Sequence, residues 1–205
     1  MSSTNRGGQR SEADNYPTPA WCVHRLLEAC PLPGGKWLEP AAGDGAIIDA
    51  ADSSLIEIDD WTAIDIRQEA IERLRLHPSP IGSIVHGDFL GWIPGIARTG
   101  SDGTEHHFAV AITNPPYSVA MEFLTHAMLF ADRVVMLLRL NFLAGGGRAD
   151  FMRAQEPDVY VLPNRPSFTG HGTDSCEYAW FVFGASRPKP SGIVRVLATT
   201  PKEQR

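Results

Sequence analysis

Short apolar runs alternate with amphipathic helical patterns along most of the chain, and this alternation constrains the fold more than any other feature. A strand pattern, a glycine turn and a helix pattern follow one another over residues 36–52, and a strand and a helix pattern return over 61–76. Strands that alternate with helices favour a parallel sheet covered by helices on both faces. The sequence therefore predicts an α/β fold with a mostly parallel sheet.

The last third of the chain has a different pattern. Apolar runs at 158–163, 177–184 and 193–200 read as strands with little helix between them, which predicts an antiparallel pair at one end of the sheet. The segments 94–107 and 144–157 are rich in polar residues and glycine, and we expect both to be loops.

The length of 205 residues and the hydrophobic content of 43% suffice for one buried core. We expect a flexible N-terminal arm at residues 1–15, which are polar, and a single domain over residues 16–200. No apolar run approaches the roughly 20 residues that span a membrane, and the start of the chain lacks the apolar core of a signal peptide. These features predict an intracellular, cytoplasmic protein.

Charge and metal-ligating residues narrow the function classes. The net charge of −6 argues against a protein that coats nucleic acid, so any contact with DNA must come from a local basic patch. The cysteines lack the paired spacing of a disulfide framework or a zinc site, and histidines lie in polar or glycine-rich loops without partner ligands. We expect reduced thiols and no metal site; the residues concerned are Cys22, Cys30, Cys176, His106, His107 and His171.

Polar groups follow three of the predicted strands at the ends where α/β sheets bind ligands. Gly43 and Gly45 allow a tight turn and a close approach of ligand to backbone. Asp65, about 20 residues further on, can accept hydrogen bonds from both hydroxyls of a ribose. Asp88 can accept from an adenine amino group, and Phe89 can cover a ring face. Together they predict a nucleoside site whose acidic lining favours a cationic sulfonium ligand over a pyrophosphate cofactor.

Four motifs in this order resemble those of S-adenosylmethionine-dependent amino-methyltransferases: EPAAGDG, AIDI, GDF and NPPYS. The upstream YPTP and the downstream LPNRPSF and EYAWFVF resemble segments of adenine-specific (N6) DNA methyltransferases, particularly small phage-type ones. The similarity covers roughly residues 14–184. It implies a single Rossmann-like class I methyltransferase domain, S-adenosyl-L-methionine as cofactor and DNA as partner.

The resemblance also implies roles for individual residues. Residues near the N-terminus would contact the methionine part of the cofactor, the glycine turn would lie at its centre, and the next two strand ends would hold the ribose and frame the adenine. Family members often have Asp where this chain has Glu39. The implied cofactor-binding residues are Tyr16, Thr18, Glu39, Gly43, Gly45, Asp65, Ile66, Asp88, Phe89 and Asn114.

The segment Asn114-Pro115-Pro116-Tyr117 carries the predicted chemistry. The lone pair of an exocyclic adenine amino group is delocalised into the ring, and acceptors on both amino hydrogens favour a pyramidal nitrogen with its lone pair available. The Asn114 side chain and the Pro115 carbonyl can supply these acceptors, while the prolines stiffen the turn. Tyr117 can stack on an extruded base.

Two further residues are implied to bind substrate. Phe168 would help to wall the base pocket and Arg165 would contact the nucleic-acid backbone, although ordinary turn packing explains both equally well. The sequence predicts a DNA adenine methyltransferase, and the alternatives are methylation of RNA adenine, methylation of a glutamine amide in a protein, or cofactor binding without turnover. Only about 38 residues precede the glycine turn, whereas glutamine-modifying relatives usually carry a helical recognition domain there.

Overall fold

The computed structural model of the protein describes residues 17–95, 98–99, 105–168, 175–184 and 190–205. The helices in these ranges are α1 (Ala20–Ala29), α2 (Ala46–Asp52), α3 (Gln68–Arg75), α4 (Ala120–Ala127) and α5 (Ala149–Gln155). The strands are β1 (Gly35–Glu39), β2 (Ile58–Asp65), β3 (Ser83–His86), β4 (Arg98–Thr99), β5 (Glu105–His106), β6 (Phe108–Thr113), β7 (Ala131–Arg139), β8 (Asp158–Val161), β9 (Tyr178–Gly184) and β10 (Val194–Val196).

Eight of these strands form one sheet in the order β3-β2-β1-β6-β7-β9-β8-β10. The neighbours from β3 to β7 are all parallel, whereas β9 runs antiparallel to both β7 and β8, and β10 is parallel to β8. The two short strands β4 and β5 pair with each other as a separate antiparallel ribbon. The predicted α/β fold, mostly parallel with an antiparallel end, is confirmed.

The sheet is buried on both faces because successive side chains along a strand point to opposite sides. In β1, Trp37 belongs to the core on one face and Leu38 to the core on the other, and both are fully buried. Helices α1, α2 and α3 contribute to the Trp37 side, and α4 and α5 to the Leu38 side. A strand that is apolar on both sides reads as a continuous hydrophobic run, as FAVAIT does in β6.

One predicted loop is wrong. The segment 144–157 contains a 3-10 turn at Gly146–Arg148 and then α5, a helix of seven residues. The glycines at 145–147 suggest a loop, but the residues after them form a helix that buries Met152 in the core. The segment 94–107, also predicted to be a loop, includes the ribbon of β4 and β5 in its described part.

The remaining expectations concern membrane spans, the cysteines and the N-terminal arm. Among the residues that the structure describes, no helix is long and apolar enough to cross a membrane. The three cysteines are free thiols. The predicted arm at residues 1–15, Tyr16 and His171 lie outside the described residues.

Candidate functional site at the carboxyl edge of the sheet

The sheet reverses its strand order at β1. The chain runs from β1 outward through β2 to β3 and then returns to place β6 on the other side of β1. Ligands of open α/β sheets bind at such a reversal, beyond the carboxyl ends of the strands. Glu39 ends β1, Asp65 ends β2 and Thr113 ends β6, so the segments after these residues share this edge.

The turn after β1 has the backbone that its glycines allow. Gly43 has a φ of 56° and Gly45 a φ of 88°, both in the region that side chains disfavour. The Ala42 N–H donates to the Ile64 carbonyl at 2.9 Å, which ties the turn to β2. A Cβ at Gly45 would lie 2.8 Å from the His77 ring, so this position also has no room for a side chain.

Asp65 accepts several hydrogen bonds where β2 ends, although its side chain is only 6% exposed. The Gly43 N–H donates to Oδ2 at 2.8 Å, and the Arg67 N–H donates to Oδ1 at 2.9 Å. The Arg67 guanidinium adds bonds from Nε to Oδ1 at 3.0 Å and from Nη2 to Oδ2 at 3.2 Å. The guanidinium bonds to Asp65 raise the pKa of Arg67, and the two side chains form an ion pair.

Glu39 lies on the neighbouring strand and is almost completely buried. Its Oε2 makes no hydrogen bond to any residue within the described ranges. Burial, and then the negative charge of Asp65, raise the pKa of Glu39 well above its ordinary value. The raised pKa favours the uncharged form of this buried carboxyl group.

The exit of β3 places Asp88 and Phe89 differently from each other. Asp88 is exposed, and its Oδ1 accepts the Leu90 N–H at 3.0 Å. Phe89 is 2% exposed, with its ring centroid 5.1 Å from that of Phe123. Ile66, which follows Asp65, is 64% exposed and offers an apolar surface at this edge. The structure brings Asp88 and Ile66 to the surface, whereas the Phe89 ring is packed in the core.

Thr18 is the described residue of the predicted methionine-binding segment. It is 5% exposed and lies two residues before α1. Cys22, in the first turn of that helix, accepts on its carbonyl a hydrogen bond from the Trp180 indole at 2.8 Å. The start of α1 is thus fixed to β9.

The Asn-Pro-Pro-Tyr segment begins directly after β6. The Tyr117 hydroxyl donates to Asn114 Oδ1 at 2.9 Å. Pro115 is buried, and the Val119 N–H donates to the Pro116 carbonyl at 3.1 Å in the 3-10 turn that precedes α4. The prolines therefore hold Asn114 and Tyr117 at one side of a compact turn, with both side chains half-buried.

Sequence reasoning missed two residues that complete the surroundings of Tyr117. Arg139, at the end of β7, places its guanidinium carbon 5.2 Å from the Tyr117 ring centroid. Tyr178, at the start of β9, has its ring centroid 5.8 Å from that of Tyr117. Phe168, which was predicted, packs against Tyr178 with centroids 5.2 Å apart. The sequence shows Tyr178 as an aromatic residue of a predicted strand, but it does not show that β9 pairs with β7 and brings Tyr178 to Tyr117.

Arg165, which was expected to contact nucleic acid, and two other arginines bind groups of the chain itself. Arg165 pairs with Glu177, and Arg153 pairs with Asp150. Arg148 donates to the Phe142 carbonyl at 3.0 Å and lies over the Phe142 ring. Asp150 and Glu177 thus partly compensate the charges of Arg153 and Arg165, whereas Arg148 is held by uncharged groups.

Two further features bear on the choice of site. Within the described residues, no three His, Cys, Asp or Glu side chains are placed to hold a metal ion. A surface cavity of about 520 Å³ lies at the opposite edge of the sheet, lined by residues that include Cys30, Gly35 and Glu57. It shares no residue with the edge where β1, β2 and β6 end, which remains the candidate site.

No protein-family model and no curated protein matches the sequence. Solved structures do match. A protein from Listeria monocytogenes assigned to the class I S-adenosylmethionine-dependent methyltransferases is 12% identical, with a TM-score of 0.57 over 86% of this chain and 61% of that one. A type I restriction-modification methyltransferase subunit from Streptococcus thermophilus is 15% identical, with a TM-score of 0.61 over 83% and 44%.

A 23S rRNA methyltransferase is 18% identical, with a TM-score of 0.57 over 83% of this chain and 68% of that one. This chain spans less than two thirds of the length of the Listeria and Streptococcus proteins. At such low identities the similarity establishes the fold, which is the Rossmann-like fold of class I methyltransferases. The matched proteins include one named for restriction-modification and one named for rRNA methylation.

Proposed function

We propose that the protein transfers a methyl group from S-adenosylmethionine to the exocyclic amino nitrogen of adenine in DNA. The observation that carries the proposal is the position of Asn114. It follows β6, the strand beside β1, and its side-chain oxygen is oriented by the Tyr117 hydroxyl at 2.9 Å. An acceptor is thereby fixed next to the strand ends that carry the glycine turn and Asp65.

The residues at those strand ends offer hydrogen-bonding groups that suit a nucleoside. Glu39 Oε2 is buried without a hydrogen-bond partner among the described residues, and Asp65 lies on the next strand. The turn of Gly43 and Gly45 would lie at the centre of the cofactor and Asp65 would hold its ribose. Ile66 and Asp88 would lie at its adenine, and Thr18 with Tyr16 at its methionine part. When bound, S-adenosylmethionine supplies a methyl group already activated by its positive sulfur.

The chain has to make the target nitrogen a better nucleophile and to align it. Asn114 Oδ1 has a second lone pair beside the one that Tyr117 occupies, and it can accept one amino hydrogen of the base. The Pro115 carbonyl can accept the other. With both hydrogens bound by these acceptors, the nitrogen lone pair would be free to take up the methyl group that the cofactor would supply, and the nitrogen would then lose one proton to solvent. Alignment of this kind accounts for large rate enhancements without a nucleophilic side chain.

Other readings share the same fold. RNA adenine and a protein glutamine amide present a planar nitrogen with the same delocalised lone pair, and a protein that only binds the cofactor would keep the strand ends. The resemblance of the segments around Arg165 and Tyr178 to adenine-specific DNA methyltransferases supports DNA. Methyl transfer from labelled cofactor to DNA, RNA and protein, together with identification of the methylated group, distinguishes these readings.

Two substitutions of one residue test the chemistry. Asn114→Ala removes the acceptor and should lower the single-turnover rate on DNA by on the order of 100-fold or more, as expected for one preorganised polar contact. Asn114→Asp keeps an oxygen that can accept from both the Tyr117 hydroxyl and the base, so it should retain more activity. Cofactor affinity should change much less than the rate in the Ala variant. Equal activity of the Ala variant and wild type, or an Asp variant consistently slower than Ala, would refute the acceptor role.

A further inference from the structure

Side chains of β7 and β9 contact the hydrogen-bonded pair of Asn114 and Tyr117 and support it. Tyr117 is half-buried, so its ring needs contacts to keep the hydroxyl on Asn114. One such contact is the Arg139 guanidinium, 5.2 Å from the ring centroid. A guanidinium over an aromatic face is attracted by the ring quadrupole, and its flat shape favours a stacked arrangement.

Arg139 is itself fixed by the strand pairing. It faces Tyr178 across the antiparallel ladder between β7 and β9, and its Nε donates to the Tyr178 hydroxyl at 3.4 Å. The ladder continues one step further, because the Leu140 N–H donates to the Glu177 carbonyl at 2.9 Å. Tyr178 is 1% exposed and packs edge-on against Phe168, so its hydroxyl is a rigid anchor.

We propose that Arg139 is a positioning residue for methyl transfer, acting through Tyr117 to hold the Asn114 side chain in its reactive orientation. The proposal rests on the proposed function for its kinetic consequence, whereas its structural consequence stands independently. The order of contacts is Tyr178 to Arg139, Arg139 to the Tyr117 ring, and the Tyr117 hydroxyl to Asn114 Oδ1. Loss of Arg139 removes one of the contacts that hold the Tyr117 ring, the Tyr178 ring being another, so the hydroxyl that orients the Asn114 amide is held less firmly.

The first test needs no catalysis. In protein labelled with ¹⁵N-asparagine, the Asn114 side-chain amide signals are assigned from the spectrum of Asn114→Asp. We expect Tyr117→Phe and Arg139→Gln to shift these signals, and Arg139→Lys to shift them less because it keeps a cation over the ring. Arg133→Gln, on the same strand and also half-buried, is the matched control and should leave them in place. Unshifted Asn114 signals in Arg139→Gln or in Tyr117→Phe would overturn the proposal.

The second test measures the chemical step. Arg139→Gln should lower the single-turnover rate by about tenfold, the size expected for loss of one cation–π contact to a partly desolvated ring, while cofactor affinity stays the same. The double variant Arg139→Gln/Tyr117→Phe should be no slower than the slower single variant, because both act on one pathway. If the losses in rate of the two single variants multiply in the double variant, or if only the KM for DNA changes, Arg139 acts by another route and the proposal is overturned.

Two further measurements separate a variant that fails to fold, and a wrong proposed function, from a wrong role for Arg139. Tyr178→Phe keeps the buried ring and removes the hydroxyl that anchors Arg139, so it should shift the Asn114 signals in the same direction even if Arg139→Gln folds poorly. A wild-type protein that methylates none of DNA, RNA or protein would refute the proposed function. The amide spectra would in that case still support or refute the role of Arg139.

Discussion

Arg67 binds both carboxylate oxygens of Asp65, with Nε 3.0 Å from Oδ1 and Nη2 3.2 Å from Oδ2. The N–H groups of Gly43 and Arg67 donate to the same two oxygens. A carboxylate has about four acceptor positions, and these contacts use all of them. A ribose that bonds to Asp65 must therefore replace the Arg67 guanidinium.

This competition predicts opposite effects for two substitutions. Arg67→Gln should tighten S-adenosylmethionine binding by about tenfold or more, since hydrogen bonds to a charged group contribute about 1.5 to 3 kcal/mol and the cofactor would no longer have to replace them. Asp65→Ala should weaken binding by about 1.5 to 3 kcal/mol, the range for hydrogen bonds to a charged group. Calorimetric titration of the folded variants measures both. Weaker binding by Arg67→Gln would mean that Arg67 itself contacts the cofactor.

Adding a side chain in the glycine turn should destabilise the protein. Gly45→Ala places a Cβ at a φ of 88° and 2.8 Å from the His77 ring, and it should lower the free energy of unfolding by about 1–3 kcal/mol. Gly146→Ala, where a Cβ would meet nothing within 4 Å, is the control and should unfold like wild type. Denaturant unfolding curves compare them. Equal stability of the two variants would contradict the strain assigned to the turn.

The buried Glu39 predicts a pH dependence of stability. Because burial raises the pKa of Glu39, the folded state keeps its proton at pH values where the unfolded chain has lost it. Stability then falls as pH rises from the ordinary pKa of a glutamate toward the raised one. Glu39→Gln keeps a neutral group of similar shape and should show a smaller fall between mildly acidic and neutral pH. Parallel stability curves for the two proteins would mean that Glu39 does not titrate in this way.

The paired arginines predict weak and only moderately salt-sensitive binding of DNA. Arg148, Arg153 and Arg165 have partners within the chain, so few phosphates can be neutralised, and the logarithm of the affinity should fall with log salt by a slope of only a few units. Arg165→Gln should reduce that slope by about one unit if Arg165 contacts a phosphate. Anisotropy titrations of labelled DNA over a salt series measure it. A steep slope would point to basic residues other than these three.

The fold could be predicted because the information is local. Trp37 and Leu38 are neighbours that serve opposite faces of the sheet, and such runs between helix patterns specify a parallel sheet. Helix α5 was not predicted because three glycines precede it, and glycine strongly indicates a loop. Its burial of Met152 depends on the sheet beneath it, which a local pattern does not contain.

The site could be predicted less completely, for the same physical reason. The sequence indicates which polar residues come after the strands, including Asp65 and Asn114. It does not indicate that Phe89 packs against Phe123, or that Arg139 faces Tyr178, because both contacts join segments far apart in the chain. Arg67 was also missed, although an arginine two residues after a carboxylate can be recognised as a possible partner.

The position of β1 in the sheet also has a kinetic consequence. Its pairing with β6 joins Trp37 to Val110, a separation about three times larger than those of Trp37 with Trp61 or Val110 with Arg133. Long chain closures are slow, so we expect β1–β2 and β6–β7 to form as separate halves that join last along β1–β6. Glu39 and Asp65 lie on one half and Asn114 on the other. The site is then assembled in the final folding step, and a ligand bound across both halves should slow hydrogen exchange along this pair of strands.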